Sequence, residues 1–204
     1  MDDTSFLSAD EIQSCVKRLR KRSAGVERGA NSRINLAIFR LSCMGLRVCE
    51  IHGLNWEDLI LDGPRPCIKI RPEITKGKNG EYYGRSVPLW WDKGTLEDLK
   101  RFAQFRAGKP GEPFLVSIRP GAAGQRLSKD AISNRWDTLM KKFGPGRARQ
   151  LSIHKGRHSF ISHSLAAGRS LVEVQRAAGH RSVGSTSVYL HFIEREGVPD
   201  TYGG

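Results

Sequence analysis

No stretch of this chain stays apolar for the roughly 18 residues that a membrane-spanning helix needs, so a membrane protein of the helical kind is excluded. The opening Met1-Asp2-Asp3-Thr4 is acidic where a secretory signal is basic and then apolar. Cysteine is scarce: Cys15, Cys43, Cys49 and Cys67 form no C-x-x-C pair and have no histidines at zinc spacing. They read as reduced thiols of a cytoplasmic protein. Acidic residues are also few, 21 against 34 lysines and arginines, which leaves a net charge of +13 and a sequence pI near 10.0. An excess of that size points to a polyanionic partner, a nucleic acid in preference to a membrane surface.

What is present is enough for a folded core, with 204 residues and a 38% hydrophobic share. There is no internal repeat and no low-complexity tract, and no composition shift marks a domain boundary. Ser8-Ala9-Asp10-Glu11 is a capping box opening a helix, with Ile12, Cys15, Val16 and Leu19 at helical spacing. A second helix is predicted over Ser32 to Met44, ending at Gly45, and a short one over Arg47 to Leu54. Cys67 to Arg71 alternates as a strand does, and the turn-rich Gly77-Lys78-Asn79-Gly80 divides a hairpin that returns through Glu81 to Leu89. Pro72 predicts a bulge or an edge strand. Thr95 is expected to cap a helix, and Gly108 to Gln125 to make a long surface excursion. Ser128 opens a helix that Gly144-Pro145-Gly146 ends. Three helical segments follow, Ser152 to Ala167, Ser170 to Ala178 and Ser185 to Ile193. The sum is an α+β, mainly helical domain with a small antiparallel sheet of about three strands near residues 66–89.

The last quarter carries the chemistry. From Lys141 to Tyr189 nine basic residues, Lys155 and Arg181 among them, face a single acid, Glu173. Within it His154, Arg157, His180 and Tyr189 fall in the order H-x-x-R…G-H…Y, while Arg47 and Lys76 lie far upstream. Two planar guanidinium forks can grip one phosphodiester, His and Lys can move protons, and a phenol can attack phosphorus. The phenol, of pKa about 10, needs cations to stabilise its anion. Each residue also has a plainer reading. Arg157 alone is a solvated surface arginine, His154 a half-buried structural histidine, Tyr189 a core aromatic. Arg47 with Glu50 one turn later is either a local surface pair or an arginine aimed by its carboxylate. Lys78 and Arg85 compete with Lys76 on the hairpin, where basic residues that merely touch phosphates are the alternative.

Taken together, Gly45-Leu46-Arg47-Val48-Cys49-Glu50, Thr75-Lys76-Gly77…Arg85-Ser86-Val87-Pro88-Leu89, His154-Lys155-Gly156-Arg157-His158 and Gly179-His180-Arg181…Tyr189 resemble the tyrosine recombinase (phage-integrase) family. The resemblance covers that family's catalytic domain, from about Phe6 to Ile193. It implies that Arg47, Lys76, His154, Arg157 and His180 are catalytic, that Tyr189 is the nucleophile, and that Glu50 supports them. Lys78, Arg85, Lys155 and Arg181 are then expected to contact DNA. It further implies double-stranded DNA as substrate, a 3′-phosphotyrosyl intermediate, self-association into a tetramer on DNA, and no cofactor or metal. That fits a sequence without a nucleotide-binding loop or an acidic metal cluster. A type IB topoisomerase-like nicking enzyme, and a catalytically weak DNA-binding remnant of a longer recombinase, are the alternatives. Gly156 stands where the family has leucine and is expected to delay or bend its helix. Residues 1–204 are expected to be one catalytic domain without the helical domain that precedes it in the family, and 190–204 a short C-terminal tail.

Overall fold

The computed structural model describes residues 6–24, 29–75 and 83–180. Tyr189, Arg181, Lys76, Lys78, the Ser185–Ile193 helical segment and the 190–204 tail lie outside them. Helix α1 (Ala9–Ser23) starts at the predicted box: Glu11 N–H donates to Ser8 Oγ at 3.2 Å, and Ser8 N–H to Glu11 Oε2 at 2.9 Å. Helix α2 (Ala30–Cys43) is the central element, packed against α1, α4 (Lys93–Phe105), α5 (Lys129–Met140) and α7 (His154–Ala166). Its Ile34, Ala37, Ile38, Phe39 and Leu41 are buried, because a helix surrounded on all sides needs apolar residues around most of its circumference. It ends where Gly45 takes φ +87° and the Phe160 ring occupies the space a Cβ would fill.

The sheet is antiparallel in the order β1 (Leu59–Ile60), β2 (Cys67–Ile70), β3 (Arg85–Pro88), with Ile68 paired to both Leu59 and Val87. Strand β1 lies upstream of the predicted 66–89 window. Pro72 neither bulges nor edges a strand. It opens a 3-10 turn, Pro72–Ile74, after β2 has ended, since proline offers no N–H for a ladder.

Two further expectations are corrected. Helix α4 is capped by Asp92: its carboxylate accepts the Thr95 N–H at 3.1 Å and the Thr95 hydroxyl at 2.6 Å, so Thr95 lies buried inside the first turn. The 108–125 excursion is exposed at both ends, but Phe114, Leu115 and Val116 dive into the core. Phe114 N–H bonds to Leu54 O at 3.0 Å, and Leu127 N–H to Leu115 O at 3.0 Å. The helical run of α5 and its 3-10 extension, Lys141–Phe143, ends as expected at Gly144, φ +87°, and Pro145 begins a new helix, α6 (Pro145–Gln150), as proline can at a first helical position. Helix α8 (Leu171–Ala178) starts where predicted, at a capping box formed by Ser170 and Glu173, and stops at Gly179, φ +66°. All four cysteines are free thiols, and among the described residues no helix is long and apolar enough to cross a membrane.

One ion network ties the helical frame. Asp98 on α4, its side chain 1% exposed, accepts Arg40 Nε of α2 at 2.8 Å and Arg20 Nε of α1 at 2.7 Å. Removing one member of such a buried pair strands the other's charge. Asp98→Ala is therefore expected to cost about 3–5 kcal/mol, read as a fall in urea midpoint with an unchanged m-value.

Candidate active site

Arg47 stands at the N-cap of α3 (Val48–Gly53), placed there by the Gly45 turn. Glu50, at the third helical position, folds its carboxylate back onto the Arg47 N–H at 2.7 Å and Arg47 Nη1 at 3.0 Å. The same carboxylate takes both terminal nitrogens of Arg85, at 2.6 and 2.9 Å, and has no exposed surface. Burial, the largest single influence, raises the Glu50 carboxyl. The Arg85 hydrogen bonds and charge, with the Arg47 N–H, outweigh it and hold the group below the ordinary carboxylate range.

From the far end of the chain, Arg157 on α7 is 6% exposed, and its Nη1 donates to Gly45 O at 2.6 Å, two residues from Arg47. Gly156 makes that approach possible. Instead of delaying or bending α7, it lies buried inside a continuous helix; a Cβ there would collide with Ser42 Oγ and sit 2.9 Å from the Trp136 ring. Arg47 Nη2 reaches Gly179 O at 3.3 Å, the carbonyl just before His180. His180 itself is braced by Gln175, which accepts its N–H at 3.0 Å and donates to its carbonyl at 3.2 Å. Burial, then the charges of Arg157, Arg47 and Arg85, push His180 down to about 4. The two guanidinium groups therefore share one side of the molecule and one field.

The family model for the phage integrase family matches residues 5–195. The chain belongs to the phage integrase family. Tyrosine recombinase XerC of Neisseria gonorrhoeae is 33% identical over 145 residues, 71% of this chain and 42% of that protein. Tyrosine recombinase XerA of Thermococcus kodakarensis is 30% identical over 171 residues, 83% of this chain and 54% of the relative. The chain thus spans roughly half the length of these relatives. A crystal structure of XerA recombinase superposes with a TM-score of 0.69 at 22% identity, over 94% of this chain and 62% of that one. XerH recombinase bound to palindromic difH substrate gives 0.63 at 22% identity over 94% and 50%. Tn1549 transposon integrase with transposon right end DNA gives 0.63 at 18% over 96% and 65%. The fold is that of the tyrosine recombinases, mainly helical with one small sheet.

Of the residues that sequence singled out in this phage integrase domain, Arg47, Glu50, Arg85, Arg157 and His180 are gathered into one cluster. His154 opens α7 exposed to solvent, on the same face as Arg157, with Lys155 half-buried beside it. Arg85 is turned inward onto Glu50, 8% exposed, where an outward DNA contact is expected from sequence. Tyr189, Lys76, Lys78 and Arg181 lie outside the described residues. His158 is a further candidate that sequence reading quoted but gave no role. It is half-buried one turn after His154, pushed down to about 4 by burial first and then by Lys155, Arg157 and His154. The signal was its place four residues from one histidine and beside the arginine. Among the described residues no three His, Cys, Asp or Glu side chains gather where they could hold a metal ion.

Two outcomes are expected. His158 and His180 remain neutral in the folded protein down to about pH 4, while the unfolded chain takes up protons below about 6.5. The contribution of these two groups to folding stability is thus fully present above about pH 6.5 and is lost progressively as pH falls towards 4. Urea denaturation at a series of pH values reads this, and His158→Asn should flatten the slope. Gly156→Ala should destabilise: overpacking costs about 1–3 kcal/mol, against about 1 kcal/mol of better helix propensity. A thermal melt above wild type would contradict that packing.

Proposed function

We propose that this chain is the catalytic domain of a site-specific DNA recombinase or integrase, acting on double-stranded DNA through a 3′-phosphotyrosyl intermediate. The observation that carries the reading is the convergence of Arg47, Arg157 and His180 on one cluster, with Arg47 bonded to Gly179, 132 residues away. Nothing in local helix or sheet formation requires three cationic or proton-bearing groups from such distant segments to meet. A ligand carrying negative charge gives them a reason. The net charge of +13 and kinship with tyrosine recombinases XerC and XerA support the same reading.

The Tyr189 oxygen attacks the scissile phosphorus and the 5′-oxygen leaves, so one P–O bond forms as another breaks. Arg47 and Arg157 hold the non-bridging oxygens and stabilise the charge of the pentacovalent phosphorane. His154 and His180 serve the phenol proton, and Lys76 delivers a proton to the departing 5′-oxygen. A phosphate set between the guanidinium groups offsets the charges that depress His180, and so raises its proton affinity when substrate is present. Attack by a 5′-hydroxyl of a partner duplex reverses the step, and strands exchange without net loss of bonds. Self-association on DNA, which brings that second duplex, and a DNA-associated location in the cytoplasm belong to the same proposal.

The test is covalent capture. A pool of nicked duplexes of varied sequence is incubated with the full chain, and protein–DNA adduct is read on a denaturing gel. Adduct is expected with wild type, absent with Tyr189→Phe and reduced by about 10²–10³ with Arg157→Ala; chelation of divalent metal should leave it unchanged. Tight binding to duplexes with no adduct would overturn the enzyme reading in favour of a DNA-binding module.

A further inference from the structure

Arg85 opens β3, the strand that follows the hairpin segment carrying Lys76 in sequence. Every nitrogen of its guanidinium is engaged: Nη1 and Nη2 with Glu50 at 2.6 and 2.9 Å, Nε with Ala177 O at 2.8 Å. Glu50 also holds Arg47, and Arg47 Nη2 reaches Gly179 O. The contacts close a ring from Arg85 through Glu50 and Arg47 to the end of α8 and back to Arg85. Gly179 completes the fit. A Cβ there would lie 2.8 Å from Arg85 Cδ and 3.0 Å from its Nε, so the bare glycine, already needed for φ +66°, leaves room for the arginine stem under the turn. Within this ring sit the Arg47 guanidinium, the turn that delivers His180, and the start of β3.

We infer that Arg85 is a positioning residue that sets the Arg47 guanidinium and the His180 turn through the Glu50 carboxylate, and that it makes no DNA contact of its own. The inference rests on the recombinase reading for what the positioned groups do. Arginine is needed in this place because one planar fork meets both carboxylate oxygens while Nε turns to a carbonyl on another element. Lysine keeps the charge but offers neither arrangement.

Arg85→Lys and Arg85→Gln separate the possibilities in the full chain, with thermal melts to correct for folded fraction. Positioning predicts that single-turnover cleavage of a nicked duplex falls about 10²-fold in both variants, with DNA affinity and its salt dependence unchanged. A direct phosphate contact predicts the reverse: weaker binding and a salt slope smaller by about 1 in Arg85→Gln, with Arg85→Lys close to wild type. That pattern, or wild-type cleavage by Arg85→Lys, overturns the proposal. If Arg85→Gln does not fold, the lysine variant carries the test. The Glu50→Asp, Arg85→Lys double variant should cleave no more slowly than the slower single variant, since both act through one link; additive losses count against it. Should wild type form no adduct with any duplex, the recombinase reading falls alone. The NMR signals of the Arg47 Nε–H and the His180 ring in DNA-free protein then decide the positioning claim. Displacement of both in Arg85→Lys supports it, and unchanged signals sink it.

Discussion

A carboxylate without solvent cannot remain charged unless something replaces its water. At Glu50 the replacement is complete: a backbone N–H, one nitrogen of Arg47 and two of Arg85. The arrangement around it follows from that demand. Arg47 must begin α3 so that its own N–H faces the third residue of the helix, and Gly45 must turn tightly enough to put it there. Strand β3 must start with a residue long enough to reach α3 across the sheet edge. Helix α8 must end in a glycine so that Arg85 can pass beneath. Each is a local choice of residue, and each is enforced by one desolvated charge.

Burial and the same arginines together govern His180. Burial first, and then the charges of Arg157, Arg47 and Arg85, make the protonated His180 imidazole unfavourable, so the cluster carries its positive charge on the arginines and keeps this ring neutral. Such a site repels an additional proton until an anion enters, and then accepts one more readily. On the proposed reading, binding and proton transfer are in this way coupled by electrostatics, with no moving part required among the described residues.

Much of this was legible beforehand, and what was not has physical causes. The capping box at Ser8, the end of the second helix at Gly45 and the H-x-x-R spacing are local signals, and local signals survive in a sequence. Arg47, Arg157 and His180 could be named from motif and order, because the chemistry limits which residue types serve. The direction of Arg85 could not be read. A basic residue beside a hairpin suggests an exposed contact, and only the tertiary approach of α3 to β3 turns it inward. Gly156 misled for a related reason. Helix propensity prices a glycine in isolation, whereas here α7 is pressed so closely to Ser42 and Trp136 that the missing side chain is the condition for packing. Phe114, Leu115 and Val116 were lost among glycines and prolines because a three-residue apolar run is too short to show a period.

Two buried carboxylates, Asp98 and Glu50, are each held between two arginines, and their different surroundings separate frame from site. Asp98 joins α1, α2 and α4 through arginines in the last turns of α1 and α2, so its charges fix how these helices cross. At Glu50 one arginine is fully committed, while the other remains 29% exposed and faces the turn before His180. A guanidinium that must grip a phosphate cannot be wholly satisfied by protein, yet left loose it would reorganise at each encounter and lose the benefit of a fixed dipole. Tethering it by one nitrogen to a buried carboxylate resolves the conflict: the carboxylate fixes the plane of the fork, and the second arginine fixes the carboxylate. On the proposed recombinase reading, the division explains why the inner arginine can be buried without loss to binding, and why the site holds three arginines where two suffice to clamp a phosphodiester.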